Sequence, residues 1–219
     1  NNIGLSYLAL FHYQDALKFF DLAIKIDNRI PEIHNNRGNA LKGLDNQQSA
    51  LKSYRRALAL RPSYPQAINN MGVIFLEKND YQNAVVLFKK AISLNSKFPE
   101  ALNNLGNAWT ELGQYEFAFQ SYELALNINP HYIDAIHNFG NSLKRKGLHK
   151  NAIKCYLLAL SLDNNPSKAK SYSLLGDAYY DVGENELAIS SYLAALKLEP
   201  NNIENEVSLL IAQIPKILT

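Results

Sequence analysis

The residues of this sequence best suited to catalysis or metal binding are five histidines and one cysteine. They are His12, His34, His131, His137, His149 and Cys155. Zinc enzymes need closely spaced ligands, as in H-E-x-x-H on one helix, and the sequence contains no such spacing. A catalytic thiol needs a positioned base, and the sequence assigns none to the cysteine. We therefore expect no catalytic residue, no metal site, no cofactor and no enzymatic activity in this segment.

Asparagines form the more informative pattern. Five of them recur at intervals of 34 residues: Asn2, Asn36, Asn70, Asn104 and Asn138. Three more stand three residues after members of that series: Asn39, Asn107 and Asn141. An asparagine side chain has two N–H donors and an acceptor, so it can bond to both polar groups of a peptide bond. If these amides line one surface, they can bind the backbone of an extended polypeptide.

Glycines, alanines and aromatic residues repeat with the same period. The glycines are Gly4, Gly38, Gly72, Gly106, Gly140 and Gly176, and their spacings are 34 four times and then 36. Alanine follows each glycine by 12 and by 19 residues, and an aromatic residue follows it by 16. Small residues at fixed positions indicate helices that pack closely, because glycine within a helix otherwise costs about 0.5–1 kcal/mol relative to alanine. The period predicts a tandem array of helical units.

Each unit is predicted to be a pair of antiparallel helices. In the fourth copy the first helix is expected from Pro99 to Leu112, with Leu102, Leu105 and Trp109 facing inward, and the second from Tyr115 to Ile128. Gly113 lies where the first helix must end in a left-handed conformation. The same slot in other copies holds Gly147, Gly183, Asn79 and Asp45, and proline ends the second helix at Pro62, Pro130 and Pro200.

Six units are predicted, near residues 1–30, 31–64, 65–98, 99–132, 133–168 and 169–202. The longer final spacing places two extra residues in the segment 163–169. Residues 203–219 are expected to form a terminal helix with many apolar positions, including Leu210, Ile214, Ile217 and Leu218. This helix either caps the array or continues into further sequence, and the chain as a whole is interpreted as a segment of a longer protein.

The pattern resembles the tetratricopeptide repeat family along nearly the whole chain. In the fourth copy the matching residues are Leu102, Leu105, Gly106, Trp109, Ala118, Tyr122, Ala125 and Pro130. The resemblance implies an all-α, right-handed superhelical solenoid whose first helices line a concave groove. Departures occur at His34 and Arg37, which replace apolar residues, and at Asn28, Ser96 and Asn164, which replace the proline.

The asparagine series is similar to the asparagine-lined repeat region of O-linked N-acetylglucosamine transferases. That resemblance implies that Asn2, Asn36, Asn70, Asn104 and Asn138 hold the backbone of a protein ligand in the groove, and it fails at Leu174, where the sixth copy lacks the amide. Alternatively, the amides bridge neighbouring helices, or they recur through duplication. The basic residues that would clamp a free carboxylate are absent from the matching slots, so a chain end is not the expected ligand.

Three functions follow in order of preference. The chain is predicted to bind an extended polypeptide, to act as an assembly scaffold, or to recruit substrates for a larger glycosyltransferase-type enzyme. A formal net charge of +2 among 219 residues disfavours nucleic acid, and no apolar run is long enough to span a membrane. We expect a cytoplasmic location, and self-association through the exposed ends of the array.

Overall fold

The computed structural model describes residues 1–162 and 165–214, and within these ranges its regular secondary structure is α-helical. The helices are α1 (Asn2–Ala9), α2 (Tyr13–Ile26), α3 (Pro31–Gly43), α4 (Gln47–Leu60), α5 (Pro65–Glu77), α6 (Tyr81–Leu94), α7 (Pro99–Glu111), α8 (Tyr115–Ile128), α9 (Ile133–Arg145), α10 (His149–Ser161), α11 (Lys168–Asp181), α12 (Asn185–Leu198) and α13 (Ile203–Gln213). The odd-numbered helices from α1 to α11 are called A helices below, and α2 to α12 are called B helices. The chain is an all-α helical repeat array, as predicted.

The two helices of a hairpin approach closely because a glycine of the A helix lies against an aromatic ring of the B helix. A Cβ atom at Gly38 would lie 2.4 Å from Cε1 of Tyr54, and one at Gly140 would lie 2.4 Å from Cε1 of Tyr156. The same contact joins Gly4 to Phe20, Gly72 to Phe88 and Gly176 to Tyr192. These distances leave no room for a side chain, which explains why glycine recurs within helices despite its conformational cost.

The recurrent alanines are buried among the packed helices. Eleven of the twelve are fully buried: Ala16, Ala50, Ala57, Ala84, Ala91, Ala118, Ala125, Ala152, Ala159, Ala188 and Ala195. Ala23, near the end of α2, is partly exposed. The predicted role of alanine in close helix packing is therefore confirmed for all but this position.

The turns from A to B helices share one backbone conformation. Asp45, Asn79, Gly113, Gly147 and Gly183 have positive φ angles of 57°, 60°, 71°, 84° and 84°, as the sequence predicts. Phe11, in the first turn, has a φ of 59° and was not anticipated, because a bulky residue is rarely left-handed. The residue after each turn closes it, as when Gln114 N–H donates to the Trp109 carbonyl at 2.9 Å.

The helices form two compact units, divided within α7 between Ala108 and Trp109. In the first unit the ring of Tyr54 packs with Leu41 of its own hairpin and with Met71 and Ile74 of α5. In the second unit the ring of Tyr156 packs with Leu143 and with Leu175 and Ala178 of α11. Each ring therefore contributes to its own hairpin and to the contact with the next A helix.

Two departures from the family pattern have polar partners. The Arg37 guanidinium bonds to the carboxylate of Asp21 at 2.6 Å and to the hydroxyl of Ser53 at 2.9 Å. Nε2 of the buried His34 lies 2.9 Å from the carbonyl oxygen of Asn28. Both side chains thus link an A helix to a neighbouring segment.

The terminal helix α13 packs on α12 through Ala212, which joins Ala188 and Tyr192 in one apolar cluster. Leu210 and Ile214 are each 62% exposed, so they do not take part in that contact. Ile217 and Leu218 lie outside the described residues, as do Asp163 and Asn164 of the longer spacing. Within the described part of the chain, none of the helices is long and apolar enough to cross a membrane.

The glycine contact can be tested by replacing Gly140 with alanine. Alanine favours a helix by about 1 kcal/mol, but its methyl group would displace the Tyr156 ring, and overpacking of this kind costs about 1–3 kcal/mol. We expect Gly140→Ala to lower the midpoint of thermal unfolding followed by circular dichroism. Lys154→Ala, at an exposed position of α10, should leave it unchanged or raise it. A Gly140→Ala protein as stable as the unmodified chain would contradict the role given to the glycine.

Candidate functional site

The asparagine series of the first unit lies on its A helices. Asn36 of α3, Asn70 of α5 and Asn104 of α7 are half-buried, and Asn2 of α1 is exposed. The residue before each half-buried amide is also an asparagine, namely Asn35, Asn69 and Asn103, and these are only 4–7% exposed. We call Asn36, Asn70 and Asn104 the asparagine face, since each is a partly accessible amide on a successive A helix.

Hydrogen bonds join these amides from one A helix to the preceding one. Nδ2 of Asn70 donates to Oδ1 of Asn35 at 3.0 Å and to Oδ1 of Asn39 at 2.9 Å. Nδ2 of Asn104 donates to Oδ1 of Asn69 at 3.1 Å. Nδ2 of Asn36 likewise reaches Oδ1 of Asn1, at 3.3 Å. The amides are therefore a structural link between repeats, which was the alternative to ligand binding.

In the second asparagine series, Asn39 and Asn141 accept hydrogen bonds from buried tyrosines. Oδ1 of Asn39 accepts the hydroxyl proton of Tyr54 at 2.8 Å, and Oδ1 of Asn141 accepts that of Tyr156 at 2.7 Å. In the last hairpin Tyr192 donates in the same way to Oδ1 of Asp177, at 2.9 Å. Burial raises the pKa of these tyrosines, which keeps each hydroxyl protonated and able to donate. Asn39 and Asn141 thus satisfy core hydroxyl groups, a role that sequence reasoning missed.

A signal for this role is present in the sequence. The aromatic residue is tyrosine where the residue after the register glycine is polar, as in Tyr54 with Asn39, Tyr156 with Asn141 and Tyr192 with Asp177. It is phenylalanine where that residue is apolar: Phe20 with Leu5 and Phe88 with Val73. A polar residue accompanies tyrosine because the buried hydroxyl needs an acceptor, and an unsatisfied buried polar group destabilises the fold by about 1–3 kcal/mol.

The predicted site residues therefore do not all lie in one place. Asn36, Asn70 and Asn104 lie in one hydrogen-bonded series on the first unit, together with Asn39, while Asn2 is exposed at the start of α1. Asn107, at the end of the first unit, and Asn138 and Asn141, on α9 of the second unit, are half-buried. Contact of any of these residues with a ligand stays a prediction.

A cavity of about 520 Å³ lies beside Asn39, which accepts a hydrogen bond from Asn70 of the asparagine face. It is lined by Leu8, Tyr13, Asn39, Lys42, Gly43, Asp45, Gln47 and Glu77. Lys42 and Gln47 both bond to the Glu77 carboxylate, at 3.3 and 3.1 Å, and Asp45 adds a second carboxylate, so the lining carries one more negative than positive charge. The cavity has room for a side chain, and its lining favours a neutral or basic side chain over an acidic one.

In the fifth repeat a histidine takes the place of the buried asparagine. His137 of α9 is fully buried, and its Nε2 lies 2.7 Å from Oγ of Ser171 on α11. The same hydroxyl accepts from Nδ2 of Asn165 at 3.0 Å and lies 3.1 Å from the Ser167 carbonyl oxygen, and Nδ1 of the histidine has no partner among the described residues. Burial first, and then Lys170, lower the pKa of His137 from 6.5 to about 4, and Asp134 opposes them.

The single cysteine is unsuited to nucleophilic chemistry. Burial raises the pKa of the Cys155 thiol to about 11, so it is protonated at neutral pH. The part of the chain that the structure describes also contains no cluster of three metal-ligating side chains.

Comparison with protein families shows which class this architecture belongs to. Models described as TPR repeat or tetratricopeptide repeat match residues 1–29, 31–64, 72–109, 99–132, 133–166 and 169–202. The chain belongs to the tetratricopeptide repeat family, whose fold is a general scaffold for protein–protein interaction. The sequence has no match among the curated proteins compared.

Solved structures show the same fold at low sequence identity. A chain of the APC/C hetero-tetramer Cut9–Hcn1 is 18% identical with a TM-score of 0.85, and the match covers 97% of this chain and 42% of that one. Pseudomonas aeruginosa pilF is 22% identical with a TM-score of 0.75, over 94% of this chain and 93% of that one. YrrB, described as a TPR protein with an unusual peptide-binding site, is 22% identical with a TM-score of 0.63, over 89% and 98%. The likeness to O-linked N-acetylglucosamine transferases is not shown by these comparisons and stays a prediction.

The tyrosine–asparagine bond can be measured by a double-mutant cycle on Tyr156 and Asn141. Tyr156→Phe leaves the amide without its donor, and Asn141→Val leaves a buried hydroxyl without its acceptor, so each should destabilise the chain by about 1–3 kcal/mol. The double variant reproduces the Phe88–Val73 pair and should cost less than the sum of the two. Chemical denaturation gives the three values. Strict additivity would show that the two side chains do not interact.

Because the pKa of His137 is lowered in the folded chain, the chain is expected to lose stability in acid. The unfolded chain takes up a proton near pH 6.5 and the folded chain near pH 4, so stability is complete above pH 6.5 and falls as the pH drops to 4. The slope approaches about 1.4 kcal/mol per pH unit in that window. Thermal unfolding at pH 7 and pH 4.5 should show that stability falls less in acid for His137→Asn than for the unmodified chain. This substitution introduces the residue that Asn35, Asn69 and Asn103 provide at the equivalent position of other repeats. Equal losses in both proteins would refute the assignment.

Proposed function

We propose that the asparagine face of the first unit binds the backbone of an extended polypeptide. The observation that supports this is a half-buried amide on each of three successive A helices, held in place by hydrogen bonds to its neighbours. Side chains held in this way lose little conformational freedom when a ligand binds, so less of the binding free energy is lost in ordering them. The face is uncharged, which suits a peptide backbone better than a charged ligand.

The spacing of the face matches an extended chain. Packed helices lie about 8–10 Å apart, and an extended peptide advances about 3.3–3.6 Å per residue. One amide therefore meets about every third residue of the ligand. Recognition is expected to tolerate many sequences, because the backbone is common to all of them, and the cavity beside Asn39 offers space for a side chain of the ligand.

A second candidate function is a rigid assembly scaffold that makes no use of the asparagine face. It is favoured by the bonds of Asn70 to Asn35 and Asn39, which give the amide a structural purpose without any ligand. The exposed apolar residues of α13, such as Leu210 and Ile214, would then contribute to contacts with other proteins or further copies. Neither function assigns catalysis to this chain, and we keep the cytoplasmic location as part of the proposal, since a free cysteine is compatible with a reducing compartment.

The two functions differ in what removal of the amides does to binding. The probe is a fluorescein-labelled, amidated decapeptide of glycine, serine and alanine, whose peptide part is uncharged and lacks proline. Replacing Asn36, Asn70 and Asn104 together with alanine should weaken its binding at least about tenfold, since each neutral hydrogen bond contributes about 0.5–1.5 kcal/mol. Fluorescence polarisation measures the affinity, and raising the salt concentration should leave it nearly unchanged.

The matched control is Asn127→Ala with Asn151→Ala, which removes two exposed amides from B helices. This control should bind the probe as the unmodified chain does. Circular dichroism must show that the triple variant is folded, and we expect it to be less stable, because Asn35, Asn39 and Asn69 lose their donors. A folded triple variant with unchanged affinity, or an unmodified chain that does not bind the probe, would favour the scaffold function.

A further inference from the structure

Asn70 acts as the donor in both of its hydrogen bonds to neighbouring asparagines. Both Nδ2 hydrogens are donated within the chain, one to Oδ1 of Asn35 and one to Oδ1 of Asn39. An amide nitrogen has two hydrogens, so its donor capacity is used. The polar atom that Asn70 can offer to a ligand is its carbonyl oxygen, which accepts hydrogen bonds and cannot donate them.

Tyr54 determines this direction. Its ring is fully buried against Gly38, and its hydroxyl donates to Oδ1 of Asn39. If the Asn39 amide were flipped, its NH2 group would face the tyrosine, and the buried hydroxyl proton would have no acceptor there. The tyrosine therefore holds the carbonyl oxygen of Asn39 in place. That oxygen in turn attracts an N–H group of Asn70 rather than its carbonyl.

We propose that Tyr54, acting through Asn39, orients Asn70 as an acceptor, so that the asparagine face selects ligand segments that present a backbone N–H at this point. The inference rests on the peptide binding proposed above and adds a specificity to it. An N-alkylated residue, such as proline or an N-methyl amino acid, is disfavoured opposite Asn70. Tyr54 is a positioning residue in this proposal, since it lies in the core and does not touch the ligand.

Phe88 marks the contrast within the same unit. It occupies the position of Tyr54 in the next hairpin and packs against Gly72, but it has no hydroxyl, and Val73 stands where Asn39 stands. A hairpin with phenylalanine therefore folds, and Tyr54→Phe is expected to fold as well. The direction of the amide at Asn70 depends on the hydroxyl and not on the ring.

The test uses the fluorescein-labelled decapeptide and two derivatives of it. In the first, every glycine is replaced by sarcosine, which removes the N–H donors and keeps the carbonyl groups. In the second, the carbonyl groups that precede the same glycines are replaced by thioamides, which keep the N–H donors and weaken the acceptors. The unmodified chain should bind the sarcosine peptide at least about fivefold more weakly than the parent peptide, and the thioamide peptide within about twofold of it.

Two variants of the chain separate orientation from stability. Tyr54→Phe should reduce the ratio between the sarcosine and parent dissociation constants to about twofold or less. Without the hydroxyl the Asn39 amide can flip and release one N–H group of Asn70 for the ligand, while the other stays bonded to Asn35. Tyr156→Phe removes an equivalent core hydroxyl from the second unit and should leave the ratio unchanged. Comparing ratios also cancels any change in peptide conformation caused by sarcosine.

The outcomes are distinct. Equal binding of the parent and sarcosine peptides to the unmodified chain overturns the acceptor role of Asn70, even if the asparagine face binds the backbone. An unchanged ratio in Tyr54→Phe overturns the positioning role of the tyrosine. Failure of the parent peptide to bind, or binding that is unaffected by alanine at Asn36, Asn70 and Asn104, overturns the proposed function and this inference with it.

Discussion

The contact between a glycine of one helix and an aromatic ring of the next is the constraint on which the other features depend. At Gly38 and Gly140 a methyl group would lie 2.4 Å from Cε1 of the ring, so the ring rests directly on the backbone of the A helix. The ring also packs against the following A helix, as the cluster of Tyr54 with Met71 and Ile74 shows. One contact thus positions the helices of a hairpin and the surface on which the next hairpin packs.

The position of the ring also decides where its hydroxyl lies. In a buried setting that hydroxyl needs an acceptor, and the amide one residue after the glycine supplies it, as Asn39 does for Tyr54. The net contribution of such a bond is about 1 kcal/mol, smaller than the burial of the ring, which is worth about 1.5–3 kcal/mol. Packing therefore provides most of the stability, while hydrogen bonds determine the direction in which the polar atoms of Asn39 and Asn70 point.

The repeated fold could be predicted from the sequence because its main contacts admit few residue types. Glycine beneath the ring, alanine between helices and a left-handed residue at Asp45, Asn79 or Gly113 are each required by sterics, so they recur with the period. The use of each amide could not be predicted in the same way. The hydrogen-bond partners of Asn70, Asn39 and Asn35, lie 31 and 35 residues before it in the sequence. The orientation of Asn39 depends on the hydroxyl of Tyr54, which lies 15 residues after it. The left-handed conformation of Phe11 was not predicted, because a bulky residue disfavours it and the packing of the flanking helices imposes it.

Whether Asn70 is held by Asn35 and Asn39 can be observed directly by nuclear magnetic resonance. In a chain labelled with ¹⁵N and ¹³C, both side-chain amide protons of Asn70 should exchange slowly with water, and each should show a correlation across its hydrogen bond to the carbonyl carbon of one partner. The exposed amide of Asn127 in the same sample is the reference for an amide in contact with water. Slow exchange of both Asn70 protons with correlations to Asn35 and Asn39 is the predicted result. Exchange as fast as that of Asn127 would contradict the directed network from which the candidate site is built.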